Sequence, residues 1–132
     1  MDELSGLLAA ASAARSNAYA PHSNYSVGAA LLDSEGKIFA GCNVENASYG
    51  LTCCAERNAI AAAVSAGMAQ GQLSALLLLT GGGAPAVPCG ACLQVIAEFA
   101  APDLRIVCAA ESGATKEYML EDLLPRRFRL EP

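Results

Sequence analysis

The apolar pattern predicts an α/β fold, a three-layer α/β/α sandwich on a five-stranded mixed sheet whose last two strands are antiparallel. Three observations predict it. Helical and strand-like periodicities alternate along the chain in the order αββαβαββ. Leu73–Thr80 is apolar almost without interruption, which suits a strand covered on both faces. The link between the last two strand-like runs, Glu111-Ser112-Gly113, is too short for a crossover helix and so enforces antiparallel pairing.

Residues 2–18 place Leu4, Leu7, Leu8, Ala11 and Ala14 at helical spacing, with Asp2 and Glu3 where the helix dipole favours negative charge. Gly6 weakens that helix slightly, and Ala20-Pro21 closes it. Residues 26–32 alternate, with Val27, Ala29 and Leu31 on one face. Asp33-Ser34-Glu35-Gly36 turns the chain, and residues 37–44 return as the antiparallel partner. Gly50 frees the backbone before Thr52, the expected N-cap of a helix running to Gly67, with Ala59, Ile60, Ala63 and Val64 as its buried stripe. Gly81-Gly82-Gly83 lacks the Lys-Ser/Thr that follows the glycines of a phosphate cradle, so it reads as plain loop. Pro88 suits the start of a helix over residues 89–100, which Pro102-Asp103 stops. Residues 104–109 and Thr115–Met119 are the last strands, residues 120–124 one helical turn, and Pro125 opens a basic tail.

At 132 residues the chain is most simply one domain, 1–132, large enough to bury a core. Hydrophobic residues make up 54% and charged residues 16%, which leaves apolar surface that self-association would cover. A net charge of −5 argues against a polynucleotide partner, whose binding needs Lys and Arg against phosphates, and favours a small neutral substrate. No run is long enough to cross a membrane. The apolar stretch 7–14 follows Asp2 and Glu3 rather than basic residues, so it reads as helix and not as a leader. Six cysteines in a core-rich chain without a convincing export signal are expected to be reduced thiols, some binding metal, in a cytoplasmic protein.

Residues 43–58 gather hydrogen-bonding side chains, a turn glycine, adjacent Cys53 and Cys54 and a Glu56-Arg57 pair in one strand-to-helix junction. Far downstream, Pro88-Cys89-Gly90-Ala91-Cys92 adds two cysteines in the first turn of a helix, whose positive end favours thiolate. Cys-x-x-Cys alone serves redox pairs, structural zinc and disulfides alike. A redox pair would follow an early strand of a thioredoxin-like unit; this one comes late, behind a proline. A second cysteine-bearing helix start beside Glu56 points instead to three thiolates, a carboxylate and a water, since catalytic zinc keeps one position open where structural zinc closes with four protein ligands. The third thiol is not chosen by spacing. His22 is the only histidine, in a loop where such residues are more often solvated than ligating. Cys42 and Cys108 fall on apolar strand faces, where Cys behaves as a small hydrophobe. On an ideal helix Cys53 shares a face with Glu56 and Cys54 with Arg57, a mild geometric preference for Cys53.

Asn43-Val44-Glu45-Asn46-Ala47, Cys54-Ala55-Glu56-Arg57 and Pro88-Cys89-Gly90-Ala91-Cys92 together resemble the short, homotetrameric, zinc-dependent cytidine deaminases, and the likeness runs from Ser26 to Pro125. The resemblance overrules the helix geometry and implies Cys54, Cys89 and Cys92 as ligands of one zinc ion per chain, with Glu56 as proton shuttle. It implies that Asn43 and Glu45 hold the ribose and that Tyr25 stands where the family usually has Phe against the base. Ala47, Tyr49 and Phe128 would be lent to neighbouring subunits' pockets in a homotetramer with shared active sites. Two departures stand out: Leu93 replaces the Arg common after the second metal cysteine, and His22 stands where Tyr is usual.

The implied reaction is hydrolytic deamination of cytidine and deoxycytidine to uridine and deoxyuridine, with release of ammonia, in pyrimidine salvage. Glu56 would carry protons from water to N3 and to the departing amine, and the Ala55 N–H would orient the base. Three thiolates need a compensating cation, and Arg57 beside Cys54 is the candidate. Glu45 should accept from sugar hydroxyls and repel phosphate, favouring nucleosides over nucleotides. Two alternatives remain at this point: a deaminase of another aminopyrimidine such as blasticidin S, and a non-catalytic module whose zinc is closed by four thiolates including Cys53.

Overall fold

The computed structural model describes residues 2–130. Helix α1 (Glu3–Arg15) opens where Asp2 accepts the N–H of Ser5 at 2.8 Å, a short acidic side chain satisfying a donor the helix leaves free. Strands β1 (Gly28–Asp33) and β2 (Ile38–Cys42) form a hairpin; a 3₁₀ turn (Tyr49–Leu51) then leads to α2 (Ala55–Ser65). Next come β3 (Leu73–Thr80), α3 (Gly90–Phe99), β4 (Ala100–Ala110), β5 (Thr115–Met119) and the single turn α4 (Leu120–Leu123). The five strands lie in the order β2-β1-β3-β4-β5, with β3 and β4 parallel and the other neighbours antiparallel; the mixed five-stranded sheet with antiparallel first and last pairs is the one the sequence predicts. No helix among the described residues is long and apolar enough to cross a membrane.

The sheet carries a core on each face because alternate residues of its strands point opposite ways. Leu7 and Ala11 of α1 pack with Ala30, Leu32, Leu77 and Leu79 on one side. On the other, Ala59, Ile60 and Ile96 of α2 and α3 pack with Leu31, Leu76 and Ile106. Gly41 lets α2 press directly on β2: a Cβ there would lie 2.5 Å from the backbone nitrogen of Ala59. That contact sets how closely α2 lies against β2, and with it the seating of the helix that Cys54 caps.

The structure differs from the sequence expectation at several points. Thr52 is not the N-cap of α2; Cys54 is, and the helix begins at Ala55. The cause is tertiary: Cys53 pairs through its backbone with Val44, N–H to carbonyl in both directions at 2.9 and 3.0 Å, which keeps it extended. Thr52 instead closes the 3₁₀ turn, and Gly50 sits inside that turn without a left-handed backbone. Val64 is exposed, so the buried stripe of α2 is Ala59, Ile60 and Ala63. Finally, α3 passes straight into β4 at Ala100, so Pro102-Asp103 lies within the strand rather than stopping the helix. The proline is tolerated because the β3–β4 register is irregular between Leu73 and Ala75, where a ladder donor is not required.

Candidate active site

Two helix N-termini meet at one end of the sheet, and each is capped by a cysteine, Cys54 for α2 and Cys89 for α3. Cys92, one turn into α3, is buried, and its N–H donates to Cys89 Sγ at 3.5 Å. The sulfurs of Cys54, Cys89 and Cys92 all lie within 4.8 Å of one another. Sulfurs around a tetrahedral zinc at about 2.3 Å stand about 3.8 Å apart, so this set is of the size the ion needs. Cys53 is outside the group, held away by its pairing with Val44. Among the described residues no fourth His, Cys, Asp or Glu joins the three sulfurs, so a closed four-thiolate site is not what this arrangement builds.

The charges around the sulfurs are uneven. Glu56, 4% exposed, follows Cys54 by two positions, and burial pushes its carboxyl above the ordinary range, against its own backbone hydrogen bond, the Arg57 charge and a contact with Cys92. Arg57 donates from Nη2 to Cys54 Sγ at 3.4 Å, and its bonds to the Cys54 and Cys92 sulfurs hold it still more firmly protonated. That contact sets a cation against the sulfurs. Burial works to raise the Cys89 thiol, but the Cys92 N–H and neighbouring groups outweigh it and bring it below its usual value. Cys92 moves up through burial first and then through Glu56 and Cys54. Cys108, on β4 beneath the site, is pushed up to about 11 by burial and then by Glu56, which leaves it a packed, unreactive thiol.

A cleft of about 200 Å³ leads to the sulfurs, with Cys54, Glu56 and Cys89 in its lining together with Ser23, Tyr25 and Glu45. Asn43 also lines it, but its amide is largely engaged within the chain: Oδ1 accepts from Val27 N–H at 2.9 Å and Nδ2 donates to the Tyr25 carbonyl at 2.7 Å. An amide has two donors and two acceptor sites, so one of each remains. Asn43 therefore builds the wall that carries Tyr25 as well as facing the cleft. The Glu45 carboxylate accepts the N–H groups of His22 and Ser23 at 2.9 and 3.1 Å and the Ser23 hydroxyl. The Ser23 hydroxyl above all keeps Glu45 below its ordinary range and hence ionised. Ala55, fully buried, lines the cleft as the first residue of α2, where the helix supplies no partner for its N–H.

Ala47, Tyr49 and Phe128 do not line the cleft of their own chain; all are exposed, Tyr49 at 77% and Phe128 at 69%. His22 is exposed and sits edge-on to Tyr49 with ring centres 5.9 Å apart, not at the sulfurs. Leu93 is buried in the core between α2, α3 and the sheet, so its position serves packing. Ser23 and Thr80 line the cleft although the sequence assigns neither to the site. Ser23 is separated from Glu45 by so much chain that no local spacing signals their contact, whereas Thr80 reads only as the last residue of a buried strand.

The profile of the cytidine and deoxycytidylate deaminase zinc-binding region matches residues 1–109. A cytidine deaminase of Sporosarcina psychrophila is 43% identical over 125 residues, spanning 95% of this chain and 90% of its own length. One from Mycobacterium tuberculosis is 42% identical over 121 residues, 92% of this chain and 86% of its own. The crystal structure of a cytidine deaminase from Burkholderia pseudomallei superposes with a TM-score of 0.91 at 47% identity, covering 97% of this chain and all of that one.

Proposed function

The chain belongs to the cytidine and deoxycytidylate deaminase family, and from that premise we infer that it catalyses the hydrolytic, zinc-dependent deamination of cytidine to uridine with release of ammonia. The observation that carries this is the grouping of three cysteine sulfurs at two helix starts with the buried Glu56 in the same cleft. Deoxycytidine would react in the same way.

Cys54, Cys89 and Cys92 would hold one zinc ion per chain. When bound, zinc supplies a Lewis acid that brings deprotonation of a water towards neutral pH. Glu56 moves the protons: its carboxylate takes one from the attacking water and gives it to N3 of cytosine, which makes C4 electrophilic. Once more unprotonated, it takes the second proton from the new hydroxyl on C4 and passes it to the exocyclic amine, so that the C4–N bond breaks and ammonia leaves the C4 carbonyl of uridine. The Ala55 N–H, unpartnered within its helix, would hold the base carbonyl, and Tyr25 would cover the base at the cleft wall. Glu45 and the remaining amide capacity of Asn43 take the sugar hydroxyls, and the Glu45 charge repels a phosphate, so nucleosides outcompete nucleotides. Arg57 offsets the sulfur charge.

Residues 1–132 act as one cytoplasmic domain that completes its site by self-association. Ala47, Tyr49 and Phe128, exposed and outside their own cleft, are suited to closing a neighbour's in a homotetramer. The deciding experiment is ammonia release from cytidine by zinc-loaded protein, together with Glu56→Ala. The variant is expected to keep its zinc and fold and to lose turnover by at least about 10²-fold. Full activity in that variant would refute Glu56 as the shuttle.

A further inference from the structure

Thr80 ends β3 after four leucines, and strand alternation puts its side chain on the face of Leu76 and Leu78, towards α2 and α3. The residue is 2% exposed, its Oγ1 has no hydrogen-bond partner in the protein, and it lines the cleft. Valine has the same shape, so packing alone gives no reason for a hydroxyl here. A buried hydroxyl left unpaired is destabilising, and the fold gains nothing from it.

Its placement is fixed by the backbone. Thr80 pairs with Ala110, and its carbonyl accepts the Glu111 N–H at 2.9 Å. The next residue, Gly81, lies so close to Arg15 that a Cβ would meet Nη2 at 2.8 Å. The sheet register also tells which part of the cleft Thr80 faces. Gly28 opposes both Cys42 and Leu79, so the following row holds Asn43, Val27 and Thr80. The Asn43 N–H donates to the Val27 carbonyl at 3.2 Å, as that row requires. Leu78, two rows back on the same face, pairs with Cys108, which feels the Glu56 charge. Thr80 thus shares the row of Asn43 and stands two rows away from the reacting end.

We propose that Thr80 Oγ1 is a substrate-binding group that hydrogen-bonds a hydroxyl of the nucleoside sugar, directly or through one held water. The assignment rests on the deaminase function above. It makes Thr80 a determinant of affinity and not of the chemical step.

The test is steady-state cytidine turnover and thermal unfolding of zinc-loaded full chain carrying Thr80→Val or Thr80→Ser. Thr80→Val is expected to raise KM about three- to tenfold, the range of one net hydrogen bond, with kcat little changed and Tm equal or higher. Thr80→Ser should restore KM, and inhibition by 1-methylcytosine, which lacks the sugar, should not respond to either change. An unchanged KM in Thr80→Val would show the hydroxyl idle and overturn the proposal. A loss confined to kcat, or an equal weakening of 1-methylcytosine, would place the group at the reacting end and overturn it too. Wild-type protein inert towards cytidine would sink the function itself, an outcome separate from any difference between variants.

Discussion

Gly41→Ala tests whether the seating of α2 on β2 positions the metal centre. An added Cβ would stand 2.5 Å from Ala59 N, 2.8 Å from Ala55 O and 2.9 Å from Asn58 C. All three are backbone atoms, so no side chain can rotate away. Restoring ordinary contact at about 3.5 Å requires α2 to retreat by about 1 Å. Overpacking of this kind costs about 1–3 kcal/mol, which lowers the midpoint of a chain this size by roughly 3–15 °C. The retreat also carries Cys54 and Glu56 away from Cys89 and Cys92, which α3 holds. A misplacement of about 1 Å can lower kcat about 10²-fold. Thermal unfolding, zinc-to-protein ratio and cytidine turnover would be measured on the same preparation. Gly41→Ala with normal Tm, one zinc and normal kcat would show that the close approach does not position the site.

Arg57→Gln removes the donor at 3.4 Å from Cys54 Sγ and should weaken zinc binding or turnover about 10–100-fold, read by competition with a chelator. Ser23→Ala removes the main cause of the lowered Glu45 pKa. Because a depressed carboxylate is ionised above its folded pKa and lost as pH falls through it, KM for cytidine in the wild type should stay flat to below the ordinary Glu range. In Ser23→Ala the rise in KM should begin at higher pH; coincident profiles would refute the role of Ser23. Removing zinc with a chelator should lower Tm, since the ion binds only the folded arrangement. In the metal-free protein Cys89, exposed and with a lowered thiol pKa, should be alkylated first, and Cys92 and Cys108, both buried and with raised thiol pKa values, last.

Much of this molecule is legible in the sequence because the signals are local. The αββαβαββ order follows from periodicities within each segment, and Cys89 and Cys92 are recognisable because a helix start brings such positions together. Leu73–Thr80 declares itself buried on both faces through its leucines alone, and its bounds were read without error.

The remainder depended on chain segments far apart meeting in space. Whether Cys53 or Cys54 faces the other sulfurs could not be settled by helix geometry, because the backbone bridge of Cys53 to Val44 decides where α2 begins. The same bridge demotes Thr52 from the cap. The grip of Ser23 on Glu45, the backbone duties of Asn43 and the unpaired hydroxyl of Thr80 likewise exist only after the hairpin, β3 and the loop before β1 are assembled. Local signals in the chain suffice for the elements and for the chemical character of the site. Tertiary structure alone decided which atoms face the cleft, since that depends on sheet register and on helix ends fixed by contacts between segments far apart in the chain.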